Sequence, residues 1–255
     1  MSADGHPGAA LSDGPAADAW AIVVAGGTGT RFGARKQYAD LAGRPVLAWS
    51  LDQARRWCAG VVLVVPADDI GKGGWHADAV VGGGVTRSAS VRAGLAAVPP
   101  SAAVIAVHDA ARPLARDAIW RDALDAVRRG ADAAIPTVPV TDTIKQVQPD
   151  GSLATLDRTR LVAVQTPQAF RATVLRAAHA GGREATDDAA LVEELGATVV
   201  RIDGAVDNVK VTAPGDLAVA ATLLAEGTLL AEGTLSAEGR LGPRSPSGGL
   251  AAEAR

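Results

Sequence analysis

Cysteine is nearly absent: Cys58 is the only one in 255 residues. That excludes an internal disulfide framework and a cysteine-based zinc site, and makes a reducing, cytoplasmic setting the default expectation. No uncharged apolar run approaches the ~20 residues needed to span a bilayer, so no membrane is expected among the partners. The segment up to Asp18 lacks both a basic start and an apolar centre. Its Ala, Gly, Asp and Pro residues read as a disordered leader over 1–18 and not as a secretory signal. Positive charge is not in excess either. A formal net charge of −3 argues against a whole-protein electrostatic footprint for nucleic acid or anionic lipid. An anionic ligand must then be held locally, by single Arg and Lys side chains in glycine-rich or strand-end settings.

What the chain does contain is a regular alternation. Short apolar, β-branched runs at 20–25 (WAIVVA), 61–65 (VVLVV), 79–81 (AVV) and 103–107 (AVIAV) read as strands. Helical periods fill 45–57, 88–98 and 117–129 between or after them. Gly60 and Gly130, just past two of these helices, read as left-handed caps. Strand and helix in strict succession imply an α/β domain with a mostly parallel sheet covered on both faces. From Pro139 to about Val164 the rhythm changes to two strand-like pieces, TIKQV and LVAVQ, on either side of the turn-forming Pro149-Asp150-Gly151. This reads as a β arm. Helices over 171–180 and 187–195, a strand at ATVVRI and a last helix from Pro214 complete a domain over 19–224. Beyond it a short unit recurs as AEGTLL, AEGTLS and AEGRL with a glycine in each copy, and 225–255 reads as a flexible tail with a helix as the alternative.

The strand at 20–25 runs into Gly26-Gly27-Thr28-Gly29-Thr30-Arg31. Such a turn lets backbone N–H groups converge on phosphate oxygens, because no side chain blocks the approach. A dinucleotide fingerprint requires a third glycine where this chain has Phe32, and no Gly-x-x-x-x-Gly-Lys-Ser/Thr string exists for a P-loop. What remains is a turn followed closely by Arg31, Arg35 and Lys36, a positive cluster suited to a triphosphate. VHDAARP places Asp109 and Arg112 at the end of another strand, the edge where open α/β sheets bind ligands. His108 reads as a packed strand residue. Three further groups pair a cation with hydroxyls or amides: Asp142, Thr143 and Lys145; Arg158, Thr166 and Gln168; Asn208, Lys210 and Thr212.

Taken in order, AGGTGTR, KQY, the GGG-x-x-R-x-x-S segment from Gly82 to Ser90, VHDAARP, PVTDT, DR, QTPQAF, TDDAA and DNVKVT resemble the 2-C-methyl-D-erythritol 4-phosphate cytidylyltransferases over about residues 20–222. The resemblance implies a Rossmann-like α/β fold with a protruding β arm near 139–161. It implies a reaction that joins CTP to the phosphate of methylerythritol phosphate and releases pyrophosphate, with a divalent cation, Mg2+, as cofactor. By the same resemblance Arg31 and Lys36 stabilise the triphosphate charge, and Arg158 and Lys210 position the sugar phosphate. Ala25, Gly26, Gly27, Gly84, Ser90 and Asp109 match the nucleotide site; Asp109, Arg112, Thr143 and Thr166 match the sugar-phosphate pocket. Asp109 is the one candidate near the metal. The arm implies a homodimer in which Arg158 acts on the partner's site.

The chain departs from that pattern in a shorter loop before Lys36, with Arg35 at the usual proline, in Asp188 at a usual glutamate, and in the missing acidic residues of VTRSAS. Ribitol 5-phosphate as acceptor, a catalytically silent phosphate-binding relative and a nicotinamide dehydrogenase are the alternative readings, the last weakened by Phe32.

Overall fold

The computed structural model describes residues 16–27 and 32–238. Arg31, residues 1–15 of the expected leader and residues 239–255 of the expected tail lie outside the described residues. Strand β1 (Ala16–Val24) takes up the last three residues of that leader. They are held there because the Asp18 carbonyl accepts from Ala103 N at 3.0 Å and its carboxylate accepts from Arg128 at 2.6 Å.

A small hairpin, β2 (Asp40–Leu41) and β3 (Arg44–Pro45), leads into α1 (Val46–Trp57). The chain continues through β4 (Cys58–Val65), β5 (Ala79–Gly82), α2 (Arg87–Ala97), β6 (Val104–Asp109), α3 (Asp117–Arg128) and β7 (Ala133–Pro139). The arm holds β8 (Lys145–Val147) and β9 (Leu153–Thr155), after which β10 (Val162–Val164) and β11 (Gln168–Arg171) re-enter the domain. Then come α4 (Ala172–Ala180), α5 (Asp188–Glu193), β12 (Val199–Asp203) and α6 (Pro214–Glu238).

In the main sheet β5, β4, β1 and β6 lie side by side and parallel, and β11 enters antiparallel between β6 and β7. β10 pairs with the far end of β7 on the same side as β11, and β12 runs parallel to β7 on the other. Alternate residues of each strand feed two cores, as a sheet covered on both faces requires. Ala19, Ala21 and Val23 of β1 with Leu63 of β4 pack on Leu47 and Leu51 of α1 and Trp120 and Leu124 of α3. Ile22, Val62 and Val64 face Val91 and Leu95 of α2, Leu175 of α4 and Leu191 of α5. The expected Rossmann-like α/β architecture is the one observed.

Three local expectations are corrected. The arm's second strand is Leu153–Thr155, which pairs antiparallel with Lys145–Val147; LVAVQ instead joins β7 in the main sheet. The Pro149-Asp150-Gly151 turn is short enough to close a tight hairpin: Gln148 N donates to Ser152 O at 2.8 Å, so pairing occurs at once. Gly60 is no helix cap. It lies inside β4, where a Cβ would stand 2.5 Å from the Trp20 ring, so its absent side chain makes room for an indole. Gly130, with φ of 114°, does turn the chain as expected. Finally, α6 does not close near residue 224 but runs to Glu238. Ala, Leu and Glu are strong helix formers and offset a cost of about 1 kcal/mol for each glycine.

Candidate active site

β1 leads to β4 on one side, and the chain later returns to β6 on the other, so the connections leaving their carboxyl ends diverge. A crevice opens at such a switch point. Here it is a cleft of about 420 Å³ lined by Ala25, Gly26 and Gly27 after β1, Lys36 and Gln37, Gly84 to Arg87 and Ser90, Asp109 to Ala111, and Lys210. Eight of the residues singled out in the sequence therefore share one cavity: Ala25, Gly26, Gly27, Lys36, Gly84, Ser90, Asp109 and Lys210.

Two loops form its floor, both still tied to β4. Ala25 N donates to Val64 O at 2.7 Å, and Gly83 N donates to Val65 O at 2.7 Å. The second loop then enters α2, whose first turn Thr86 caps: its hydroxyl accepts from Ala89 N at 3.0 Å. A cap of this kind contributes about 1 kcal/mol and leaves the helix N-terminus facing the cleft, a setting that favours anions. Gly84 is needed for the fit, since a Cβ there would stand 2.4 Å from the Ala89 methyl. Ser90 hangs beneath both loops, with its hydroxyl donating to Thr86 O at 2.9 Å.

Asp109 sits at the centre of the charge pattern. Lys210 Nζ donates to its Oδ2 at 2.5 Å and Arg87 Nε to its Oδ1 at 3.3 Å. Burial by itself raises a carboxyl pKa, but Arg87, Lys210 and Arg112 together outweigh it and hold Asp109 well below the usual carboxylate range. Arg87 in turn donates from Nη1 at 2.7 Å to Asp188, which is fully buried and also faces His179 Nε2 at 3.0 Å. Burial by itself would weaken the Arg87 charge, but Asp188 and Asp109 on either side outweigh it and keep Arg87 charged more firmly than an isolated arginine. Among the described residues three cations, Lys36, Arg87 and Lys210, thus line the cleft against one carboxylate.

Behind this layer Thr166 and Arg112 hold the strand end in place. The Thr166 hydroxyl accepts from Asp109 N at 3.0 Å and faces His108 Nδ1 at 3.1 Å. Arg112 donates to Asn208 O at 2.8 Å and Val164 O at 3.3 Å, which ties the DNVKVT segment to β10. Asn208 Nδ2 donates to Gln165 Oε1 and to Thr166 O, each at 3.1 Å. His108 is fully buried against Trp120, as the packed-residue reading expects.

Lys36 begins a short 3-10 turn and donates from Nζ to Val211 O at 2.8 Å, while Gln37 Nε2 reaches back to Gly27 O at 3.3 Å. Arg35, expected in the triphosphate cluster, is instead paired with Asp69 and, at 3.7 Å, with Asp68. A buried carboxylate one loop away takes its charge out of the cleft. Thr143 and Arg158 stand on the exposed arm, where Arg158 donates to Thr141 O, and neither lines the cleft. Arg87, Asp188, Gln37 and Thr86 were not among the expected site residues. An arginine in a glycine-rich loop ahead of a helix was the available signal for Arg87; Asp188 stood out only as a departure within TDDAA, and nothing in the sequence pointed to its pairing with Arg87, 101 residues away along the chain.

A family model described as IspD, 2-C-methyl-D-erythritol 4-phosphate cytidylyltransferase, matches residues 19–226. The chain is 43% identical over 227 residues to the 2-C-methyl-D-erythritol 4-phosphate cytidylyltransferase of Streptomyces coelicolor, covering 80% of this chain and 84% of that one. It is 40% identical to the bifunctional enzyme IspD/IspF of Solidesulfovibrio magneticus, where the match takes in 81% of this chain and only 57% of the relative's length. Among solved structures, the 2-C-methyl-D-erythritol 4-phosphate cytidylyltransferase of Thermus thermophilus superposes with a TM-score of 0.70 at 34% identity, over 82% of this chain and 98% of that one. The 4-diphosphocytidyl-2C-methyl-D-erythritol synthase of Anaerococcus prevotii gives the same TM-score of 0.70 at 28% identity. A family match over residues 19–226 and a fold shared with solved members over 82% of the chain lead to one conclusion: the chain belongs to the 2-C-methyl-D-erythritol 4-phosphate cytidylyltransferase family.

Proposed function

We propose that the cleft joins CTP to 2-C-methyl-D-erythritol 4-phosphate, giving 4-diphosphocytidyl-2-C-methyl-D-erythritol and pyrophosphate, a step of isoprenoid biosynthesis. The observation that carries this reading is the convergence of Lys36, Arg87 and Lys210 with two glycine loops and a helix N-terminus on a single cavity. Such a site is built for two anions at once. An oxygen of the acceptor's phosphate attacks the α-phosphorus of CTP, the bond from that phosphorus to the bridging oxygen breaks, and pyrophosphate leaves with the electron pair. No protein base is required, because a phosphate monoester has its second pKa near ~6 and is largely dianionic at neutral pH.

The chain's task is to hold mutually repelling groups in line and to stabilise charge that grows in the transition state. In this reading Ala25, Gly26, Gly27, Gly84 and Ser90 hold the nucleotide, and Lys36 with Arg31 faces the triphosphate. Lys210, drawn toward the cleft by Asp109, orients the acceptor phosphate, with Arg112 and Thr166 fixing the wall on which Asp109 and Lys210 stand. The arm suits a homodimer in which Thr143 and Arg158 complete the partner's site.

Among the described residues no three His, Cys, Asp or Glu side chains converge on one point, and Asp109 is the only carboxylate lining the cleft. That donor set fits a magnesium ion carried mainly by the triphosphate and water, with Asp109 within the same cavity, and not an all-protein cage. When bound, magnesium neutralises charge on the phosphates. Cytoplasmic placement belongs to the same reading, with Cys58 buried as a thiol whose pKa burial pushes up to about 12. No helix among the described residues is long and apolar enough to cross a membrane.

The relatives favour methylerythritol phosphate over ribitol phosphate as the acceptor. Pyrophosphate release, measured with each nucleoside triphosphate against methylerythritol phosphate and ribitol 5-phosphate, tests this directly. Release is expected with CTP and methylerythritol phosphate, to stop with EDTA and to return with excess Mg2+. Release with ribitol phosphate alone would refute the acceptor, and none with any pair would refute the reaction.

A further inference from the structure

Lys36 has to be presented to the cleft by something, and the loop that carries it is short and contains no proline between Gly27 and Pro45. The residues on either side of Lys36 and Gln37 are both anchored on one acid. Arg35 pairs with Asp69, and the Tyr38 hydroxyl donates to Asp69 Oδ2 at 2.8 Å. Lys72 Nζ adds a third contact to Asp69 Oδ1 at 3.0 Å. Asp69 is only 4% exposed and sits in the turn after β4, a strand whose own main-chain oxygens hold the floor of the cleft. Tyr38 also lies flat on Trp75, with ring centroids 5.8 Å apart. The 3-10 turn of Lys36, Gln37 and Tyr38 is thus gripped from the β4 side at both ends, and its middle points at Gly27 and Val211.

We propose that Asp69 is a positioning residue for Lys36: by binding Arg35 and Tyr38 together, it sets the direction from which the Lys36 ammonium enters the cleft. The inference rests on the reading of Lys36 as the group that faces the triphosphate. The grip is visible in the titration of its partners. Burial raises the Tyr38 phenol pKa first, and the hydrogen bond and charge of Asp69 raise it further. Asp69 itself would be raised by its surroundings, but Tyr38, Lys72 and Arg35 bring it below its ordinary value.

The backbone supplies a sharp test. Arg35 has φ of −71°, inside the range to which a proline ring locks the chain, and no acceptor among the described residues takes its N–H. Proline at 35 can therefore set the turn without Asp69. The experiment compares Asp69→Ala, Asp69→Ala with Arg35→Pro, Asp69→Asn and Lys36→Ala in the full chain. It measures kcat and both KM values with CTP, methylerythritol phosphate and Mg2+, together with melting curves.

Asp69→Ala is expected to lower kcat by about 10- to 100-fold, the scale of an ångström-sized misplacement, with KM for methylerythritol phosphate changed by less than about threefold. Adding Arg35→Pro should restore most of that loss without restoring the Lys72 contact. Asp69→Asn keeps the size of the side chain and serves where the alanine variant melts too low to assay. Tyr38 is the only tyrosine in the chain, so tyrosinate absorbance reports on this cluster alone. Its midpoint should fall in Asp69→Asn toward the ordinary value of about 10. Parental kcat in Asp69→Ala and Asp69→Asn, or a loss that proline does not repair, would overturn the proposal. Lys36→Ala with parental turnover would instead remove the reading of Lys36 itself, whereas its collapse beside an active Asp69→Ala would overturn the positioning role alone.

Discussion

Asp109 and His108 are consecutive residues of β6 and meet opposite demands. Asp109 points into the cleft and stays ionised among cations, while His108 points into the core and stays neutral. Burial draws the His108 pKa down to about 4, although the Asp109 charge and the Arg112 carbonyl pull the other way. The unfolded chain takes up its proton near pH 6.5 and the native one only near 4. Stability therefore falls as pH drops across that window, by an amount on the order of 3 kcal/mol for this one group. Asp109, whose native pKa is depressed, contributes in a separate window. Its share is whole above about pH 4 and is lost as the pH falls from there through the native value. Urea unfolding of the parent and His108→Asn between pH 7 and 4.5 checks the first statement. The parent should lose stability about 1.4 kcal/mol per pH unit faster than the variant over the middle of that range; equal slopes would contradict a buried neutral histidine. Asp109 was legible in the sequence because it ends an apolar run, and Lys36 and Lys210 because each is a cation beside a distinctive motif, the glycine turn and DNVKVT. The hold of Asp188 on Arg87 was not, since it depends on α5 packing beside α2. Nor was Arg35's retreat to Asp69, which belongs to a loop that only the fold brings near.

β1, β4, β5, β6 and β12 and the helices α1 to α5 followed from periodicity, because a sheet buried on both faces writes itself as short continuous apolar runs; β7, β11 and the β2–β3 hairpin did not, since prolines interrupt Ala133–Pro139 and the other strands are only two to four residues long. The arm was legible as an excursion but not in its pairing. TIKQV and LVAVQ look alike by composition, and what separates them is that Val162–Val164 finds a partner in β7 while the nearer Leu153–Thr155 pairs with Lys145–Val147. The arm leaves Val147 and Leu153 exposed and carries Thr143 and Arg158 away from the cleft of their own chain. If it completes the partner's site, two inactive variants should rescue each other. An equimolar, re-equilibrated mixture of Lys36→Ala and Arg158→Ala chains is expected to recover about a quarter of parental turnover, since half of the dimers form mixed and each has one intact site. No recovery, with mixed dimers demonstrated by native mass spectrometry, would place Arg158 in its own chain's chemistry.

At the scale of the whole molecule, the sheet order explains why the scattered motifs converge. β4 and β5 bring the Gly82–Ser90 region to one side of β1, β6 brings Asp109 to the other, and the entry of β11 beside β6 sets Thr166 against the Asp109 main chain. The DNVKVT segment then crosses between β10 and the Lys36 turn, with Arg112 on Asn208 and Lys36 on Val211, before α6 packs Leu217 and Ala220 against Leu41 and Val46. None of these separations, up to 175 residues for Lys36 and Val211, can be read from spacing. The ordered set of motifs identified the family, and the topology gives the physical reason for that order. The reading of this cleft requires an oxygen of the acceptor phosphate to become the bridge to the α-phosphorus of CTP while pyrophosphate leaves. A single-turnover reaction with methylerythritol phosphate carrying 18O in its non-bridging phosphate oxygens, read by mass spectrometry, tests it most directly. All of the label should remain in 4-diphosphocytidyl-2-C-methyl-D-erythritol, with none in pyrophosphate; label in the pyrophosphate, or no labelled product, would contradict it.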